Sequence, residues 1–230
     1  MCRSLPLIPR VLLGSAPVPG GEGELQLFRR GADFAIAVST MPGELMNSRM
    51  HASEDALARL GCAPVAARRG ARVLVGGLGM GFTLAEALRS LGPDARVLVA
   101  ELVPQVVEWN RGELGECAGW PLRDPRVEVR VGDVGAVMGE AGPFDAVLLD
   151  VDNGPEGLTR DENGRLYSPA GLRRAWEALR PGGVLAVWSA HPAPAFTRKL
   201  ERAGFAVRAE QVRERVGKGA VHTVWLGEKG

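Results

Sequence analysis

The stretch Arg72-Val-Leu-Val-Gly-Gly-Leu-Gly-Met-Gly-Phe-Thr-Leu-Ala-Glu-Ala-Leu-Arg89 decides the fold. A short apolar run closed by glycines reads as a strand buried on both faces. Four glycines at 76, 77, 79 and 81 then let the backbone approach a ligand and present amides at a helix start. The spacing of 82–91 predicts that helix. Two rival phosphate-binding patterns are excluded. The Walker loop needs a Gly-Lys-Ser/Thr ending, which is absent, and a G-x-G-x-x-G opened by Gly77 and Gly79 would need glycine where Phe82 stands. A tight turn without a ligand is the other reading of these glycines.

Downstream the same rhythm repeats. Strands are predicted over 96–100, 127–131, 144–149 and 184–188, and helices over 104–114, 169–179 and 195–202. The segments 205–212 and 221–226 form a terminal hairpin. Strands alternating with helices give a mostly parallel sheet covered on both faces. Upstream, 24–28 and 33–38 flank the turn Arg29-Arg30-Gly31-Ala32, which is hairpin grammar. A helix over 53–60 follows, with Ser53 as its N-cap and Glu54 and Asp55 in its first turn. The predicted division is therefore a small hairpin region with a helix, 1–62, and a Rossmann-like domain, 70–230.

In such a sheet, ligands sit beyond the carboxyl ends of the strands. Glu101 ends the second strand of the domain, where a carboxylate accepts both hydroxyl protons of a ribose. Asp133-Val134 follows the third strand and suits an adenine: the acid takes the exocyclic amine and Val134 lies near the ring. Asp133 reads equally as the N-cap of the next helix. Asp150 ends the fourth strand and opens Val151-Asp152-Asn153-Gly154-Pro155. Acids at three consecutive strand ends point to a bound nucleoside.

Composition narrows the function classes. Lys and Arg number 28 against 27 Asp and Glu, a net charge of +1, so no global field draws the chain to nucleic acid or anionic lipid. The three cysteines, Cys2, Cys62 and Cys117, and the three histidines, His51, His191 and His222, are dispersed. No disulfide framework and no metal centre is expected. No apolar run reaches the roughly 20 residues of a membrane span, and Pro6, Pro9 and Arg10 interrupt any leader-like stretch. A cytoplasmic protein without a membrane or nucleic-acid partner is expected.

These segments together resemble the spermidine synthase family of aminopropyltransferases, within the class I S-adenosylmethionine-dependent methyltransferase fold. The resemblance rests on "VLVGGLGMG", "VAELVPQVVEWN", "DPRVEVRVGDV", "FDAVLLDVDNGP" and "RLYSPAGLRRAWEALRPGGVLAVWSA". It implies a Rossmann-like, mostly parallel seven-stranded sheet with helices on both faces, preceded by a small β-hairpin region. It implies that Gly77, Leu78, Gly79, Gly81, Glu101, Leu102, Asp133, Val134 and Asp150 bind the donor, that Asp150 is the active-site base, and that 151–167 form a gate. On the acceptor side it places Asp152, Asn153, Glu54 and Tyr167, the last with a structural role as its other reading.

The departures bear on the reaction. Gly79 stands where the family carries an Asp that binds the amine of decarboxylated S-adenosylmethionine, and Ser53-Glu54 stands where synthases carry Tyr and His. The leading expectation is therefore an S-adenosylmethionine-dependent methyltransferase acting on a small amine. Polyamine aminopropyl transfer from the decarboxylated donor is the alternative, and a non-catalytic nucleoside-binding protein is the third reading. A homodimer is compatible with all three.

Overall fold

The computed structural model describes residues 8–151, 161–215 and 218–230, which fall into two compact units divided between Met50 and His51. The first unit is an antiparallel sheet ordered β1-β2-β3-β4: β1 Val11–Pro17, β2 Glu24–Arg30, β3 Asp33–Val38 and β4 Met46–Asn47. Leu27 and Ile36 face each other across β2 and β3 and are fully buried, so this small unit closes its own core. The predicted hairpin is there, but β1 escapes the sequence pattern. Gly14 interrupts its alternation, and the register slips between Leu12 and Gly14.

Helix α1, Ala52–Cys62, lies within the second unit rather than closing the first. Its first residue is preceded by His51, not capped by Ser53. Ser53 is inside the first turn and gives its hydroxyl to Glu54 Oε2 at 2.5 Å. The rest of the unit follows the predicted alternation: β5 Arg72–Gly76, α2 Phe82–Ser90, β6 Arg96–Glu101, α3 Pro104–Arg111, β7 Val127–Val131, α4 Val134–Ala141 and β8 Phe144–Leu149. Then come α5 Asp161–Leu166, α6 Pro169–Glu177, β9 Leu179–Ser189, α7 Pro194–Arg202, β10 Phe205–Arg215 and β11 Lys218–Lys229. Helix α5 falls within the stretch expected to be an irregular gate, and 152–160 of that stretch lie outside the described residues.

The seven strands are ordered β7-β6-β5-β8-β9-β11-β10, and only β11 runs against the others. Successive side chains point to opposite faces. Leu74, Leu98, Val147, Leu185 and Trp225 pack with Met138, Leu172 and Phe196 from α4, α6 and α7. On the other face Leu148 and Ala186 meet α1 so closely at Gly61 that an added Cβ would overlap both side chains. The order reverses between β5 and β8, because successive strands step one way to β7 and then return to β8 on the far side of β5. That crevice is where an open α/β sheet binds its ligand. Among the described residues no helix is long and apolar enough to cross a membrane.

Candidate active site

The carboxyl ends of β5, β6, β7 and β8 converge on the glycine turn. Gly77 has φ +87, and a Cβ there would collide with the Asp150 carbonyl oxygen. Only glycine satisfies both demands. The Gly77 amide donates to Ala100 O at 2.9 Å, and the Asp150 amide to Gly76 O at 2.9 Å, so the turn is tied to both neighbouring strands. Asn110 of α3 holds it from the side, donating through Nδ2 to Gly79 O at 2.8 Å and to Val106 O at 2.9 Å.

Glu101 is buried. Its Oε2 accepts the Leu78 amide at 2.8 Å and its Oε1 the Val103 amide at 2.8 Å. Burial raises its pKa, and the amide hydrogen bonds oppose that shift. Each oxygen keeps lone-pair capacity beyond one amide, so the carboxylate can serve a diol while it shapes the turn. Leu102, next in sequence, is exposed beside it.

Asp133 is exposed and performs the second role open to it, capping α4 by accepting the Ala136 amide at 2.9 Å. That contact uses Oδ1. Val134 is buried against Gly76 and lines the floor between β5 and β7.

Asp150 is the chemical centre. Burial pushes its pKa up to about 6, opposed by a hydrogen bond from the Thr83 hydroxyl to Oδ2 at 2.5 Å. Glu54 at the start of α1 is pushed up to about 7, first by burial and then by the negative charge of Asp150. Burial of Asp150, and burial of Glu54 next to the Asp150 charge, make an acidic pair that suits a cation and retains a proton near neutrality. His51, before α1, stacks on Phe82 at 4.1 Å with 12° between the rings and turns Nδ1 to Asp55 Oδ2 at 2.9 Å. That places the start of α1 against the start of α2, hence Glu54 near Asp150.

Contacts thus link the turn carrying Gly77, Leu78, Gly79 and Gly81 to Glu101, Val134 and Asp150, and the Asp150 charge acts on Glu54, while Leu102 and Asp133 are exposed just beyond β6 and β7. Tyr167 is 2% exposed in the core beneath α6 and α7, edge-on to Phe196 at 5.5 Å, the placement that its structural reading expects. Asp152 and Asn153 lie outside the described residues. Thr83 and Asn110 were missed by the sequence reading. A hydroxyl in the first turn of an otherwise apolar helix, and a polar residue on the buried side of α3, were the available signals.

No family model matches the chain. Over 150 residues it is 37% identical to a polyamine aminopropyltransferase of Mycobacterium tuberculosis, covering 60% of this chain and 28% of that protein. Over 116 residues it is 34% identical to putrescine N-methyltransferase 4 of Nicotiana tabacum, covering 50% of this chain and 28% of that protein. The chain therefore spans less than a third of the length of either relative. The solved spermidine synthase of Thermotoga maritima superposes with a TM-score of 0.74 at 16% identity, over 95% of this chain and 73% of that one.

The leading expectation of methyl transfer is corrected by these relationships. The aminopropyltransferase match is both longer and closer than the methyltransferase match, so the relationships favour the alternative reading. Glycine at 79 removed one acid, and that single position carried too much weight beside the Asp150–Glu54 pair, which sequence spacing does not reveal. In sequence the chain is similar to polyamine aminopropyltransferases over part of their length, and its fold is that of spermidine synthase, the class I S-adenosylmethionine-dependent methyltransferase fold.

Proposed function

We propose that the chain is an aminopropyltransferase that moves the aminopropyl group of decarboxylated S-adenosylmethionine onto a small amine of the polyamine class. The observation that carries this reading is the Asp150–Glu54 pair beside the glycine turn. A donor with an amine at the end of its tail gains from two nearby carboxylates, whereas a donor that keeps its carboxylate is repelled by them.

In this reading the amides of 77–81 and Glu101 hold the nucleoside, with Leu102, Val134 and Asp133 around the adenine. Asp150 receives the proton that the acceptor nitrogen loses as it attacks the carbon bonded to the sulfonium. The carbon–sulfur bond breaks, and neutral methylthioadenosine leaves. Glu54 keeps the acceptor's positive charge at the mouth of the crevice, and Thr83 aims the Asp150 carboxylate. Positioning and proton removal supply most of what such a displacement needs.

The test is incubation of the purified chain with decarboxylated S-adenosylmethionine and, separately, putrescine, cadaverine or spermidine, following methylthioadenosine and the aminopropylated product. Turnover with at least one amine, and none with S-adenosylmethionine in its place, is expected. Methylated product without aminopropylated product would overturn the reading.

A further inference from the structure

A second concave surface starts at the amino ends of β5, β6 and β7 and runs along β7 to Arg130, which is in register with Ala100. It is a cleft of about 720 Å³ lined by Arg72, Arg96, Arg126 and Arg130, with Asp94 and Glu128 as its acids. That volume is within the range of small-molecule sites.

The arginines are placed by the sheet register. Arg72 pairs with Arg96 across β5 and β6, and Val97 pairs with Val127 across β6 and β7, so Arg126 continues the row one residue earlier. Neighbouring strands stand about 4.8 Å apart, and like charges side by side on one face are destabilising. Among the described residues, one member of the row is paired with an acid. Arg126 is clamped by Asp124 at 2.8 and 2.9 Å and gives Nη1 to the carbonyls of Leu91 and Gly92.

Arg72 is held in place without being neutralised, by the carbonyl oxygens of Pro143 at 3.2 Å and Ala141 at 2.9 Å. Arg130 gives Nε to the exposed Glu128 at 2.9 Å, and its terminal amino groups take no part in that contact. The Arg96 side chain is exposed and makes no hydrogen bond or ion pair among the described residues, while its backbone amide donates to Ala71 O. The acids nearby are engaged: Asp94 accepts the Gly70 amide, and buried Asp145 is taken by Arg68, Arg180 and the Arg72 amide.

We propose that this cleft binds a small molecule bearing a chain of two or more phosphates. Guanidinium forks match phosphate oxygens in a bidentate geometry. A line of them at strand spacing suits a linear polyanion better than a single charge. The concave shape and the near-zero net charge of the chain favour a small ligand over a nucleic-acid strand, which needs an extended basic surface. The site is separate from the transfer crevice and does not rest on the proposed reaction.

Isothermal titration of the full chain at constant ionic strength with inorganic tripolyphosphate, ATP and sulfate tests it. Saturable binding of tripolyphosphate is expected, with sulfate at least about tenfold weaker. ATP binding tighter than tripolyphosphate would assign a nucleotide to the cleft; equal affinity would assign the phosphate chain itself. Arg96→Gln and Arg130→Gln should each weaken binding about fivefold or more, while Arg29→Gln in the small sheet leaves it unchanged. Arg96 is unpaired and exposed, so its replacement leaves the fold intact, as a thermal melt will verify. Absence of saturable binding, sulfate equal to tripolyphosphate, or affinity untouched by both substitutions would overturn the proposal.

Discussion

The hydroxyl of Thr83 donates a 2.5 Å hydrogen bond to Oδ2 of Asp150, joining the first turn of α2 to the end of β8. This bond opposes the upward shift caused by burying Asp150. It favours the ionised carboxylate and fixes which oxygen remains available to an acceptor. Thr83→Val should therefore raise the Asp150 pKa and move the acidic limb of the rate–pH profile to higher pH. Losing a hydrogen bond worth about 1 kcal/mol moves the pKa by about 0.7, so the rate should fall about threefold at pH 6 and by less than about twofold at pH 7. Thr83→Ser should restore both the rate and the profile. A profile unmoved in the valine variant would show that the contact serves packing alone.

Asp150→Asn should separate activity from stability. Loss of the base should reduce turnover by about a hundredfold or more. The folded-state pKa of about 6 lies above the ordinary carboxylate value of 3.8, so the fold favours the protonated acid. The stability this gives is complete below pH 4 and is lost as pH rises through 6. The wild type is therefore strained by the buried charge at pH 8, and the neutral asparagine should be more stable there by about 1–2 kcal/mol, a rise of several degrees in Tm. At pH 4 the two melts should converge. An asparagine variant less stable than wild type at pH 8 would contradict the desolvation that defines the site.

Glu101 has a double duty that predicts a specific pattern. It braces the Leu78 and Val103 amides and offers its remaining lone pairs to a ribose. Glu101→Ala should weaken methylthioadenosine binding by about 1–3 kcal/mol and lower the melting temperature as well, since two buried amides lose their acceptor. Glu101→Gln can still accept hydrogen bonds, and its loss of affinity should be the smaller. Calorimetry and melting on the two variants together check this, and unchanged affinity in a folded alanine variant would remove Glu101 from the nucleoside site.

Much of this was legible because parallel strands must be apolar on both faces. Val73 to Val75 and Ala146 to Leu149 have no other reading, and their order fixes where Gly77 and Asp150 meet. What was not legible depends on three-dimensional approach. Nothing in sequence spacing brings Glu54 to Asp150, since His51 must first stack on Phe82 to seat α1 against α2. Gly14 and flanking prolines hid β1, because a strand with a register slip lacks clean alternation. Tyr167, at a family motif, is buried edge-on to Phe196, a contact that linear spacing does not reveal. The row Arg72, Arg96, Arg126 is invisible in a linear reading, because register alone aligns residues that far apart in the chain.

Donor choice gives the last prediction. Gly79 has φ +51, in the left-handed region that aspartate tolerates better than most side chains. Gly79→Asp should therefore fold, at a cost of about 1 kcal/mol. Its new carboxylate would join Asp150 and Glu54 beside the donor tail. Two unit charges 4 Å apart near a protein surface interact by about 4 kcal/mol, less where water reaches them. The ratio of affinities for decarboxylated over intact S-adenosylmethionine should thus rise by about ten- to a hundredfold. Glu54→Gln should lower the same ratio, because it removes one of the existing charges. Both acids titrate between about 6 and 7, so the wild-type ratio should itself grow from pH 5.5 to pH 8 as they ionise. Titration calorimetry with the two donors at those pH values measures all three effects. A wild-type ratio that stays flat with pH, or one that Glu54→Gln leaves unchanged, would mean that the acid pair does not select the donor.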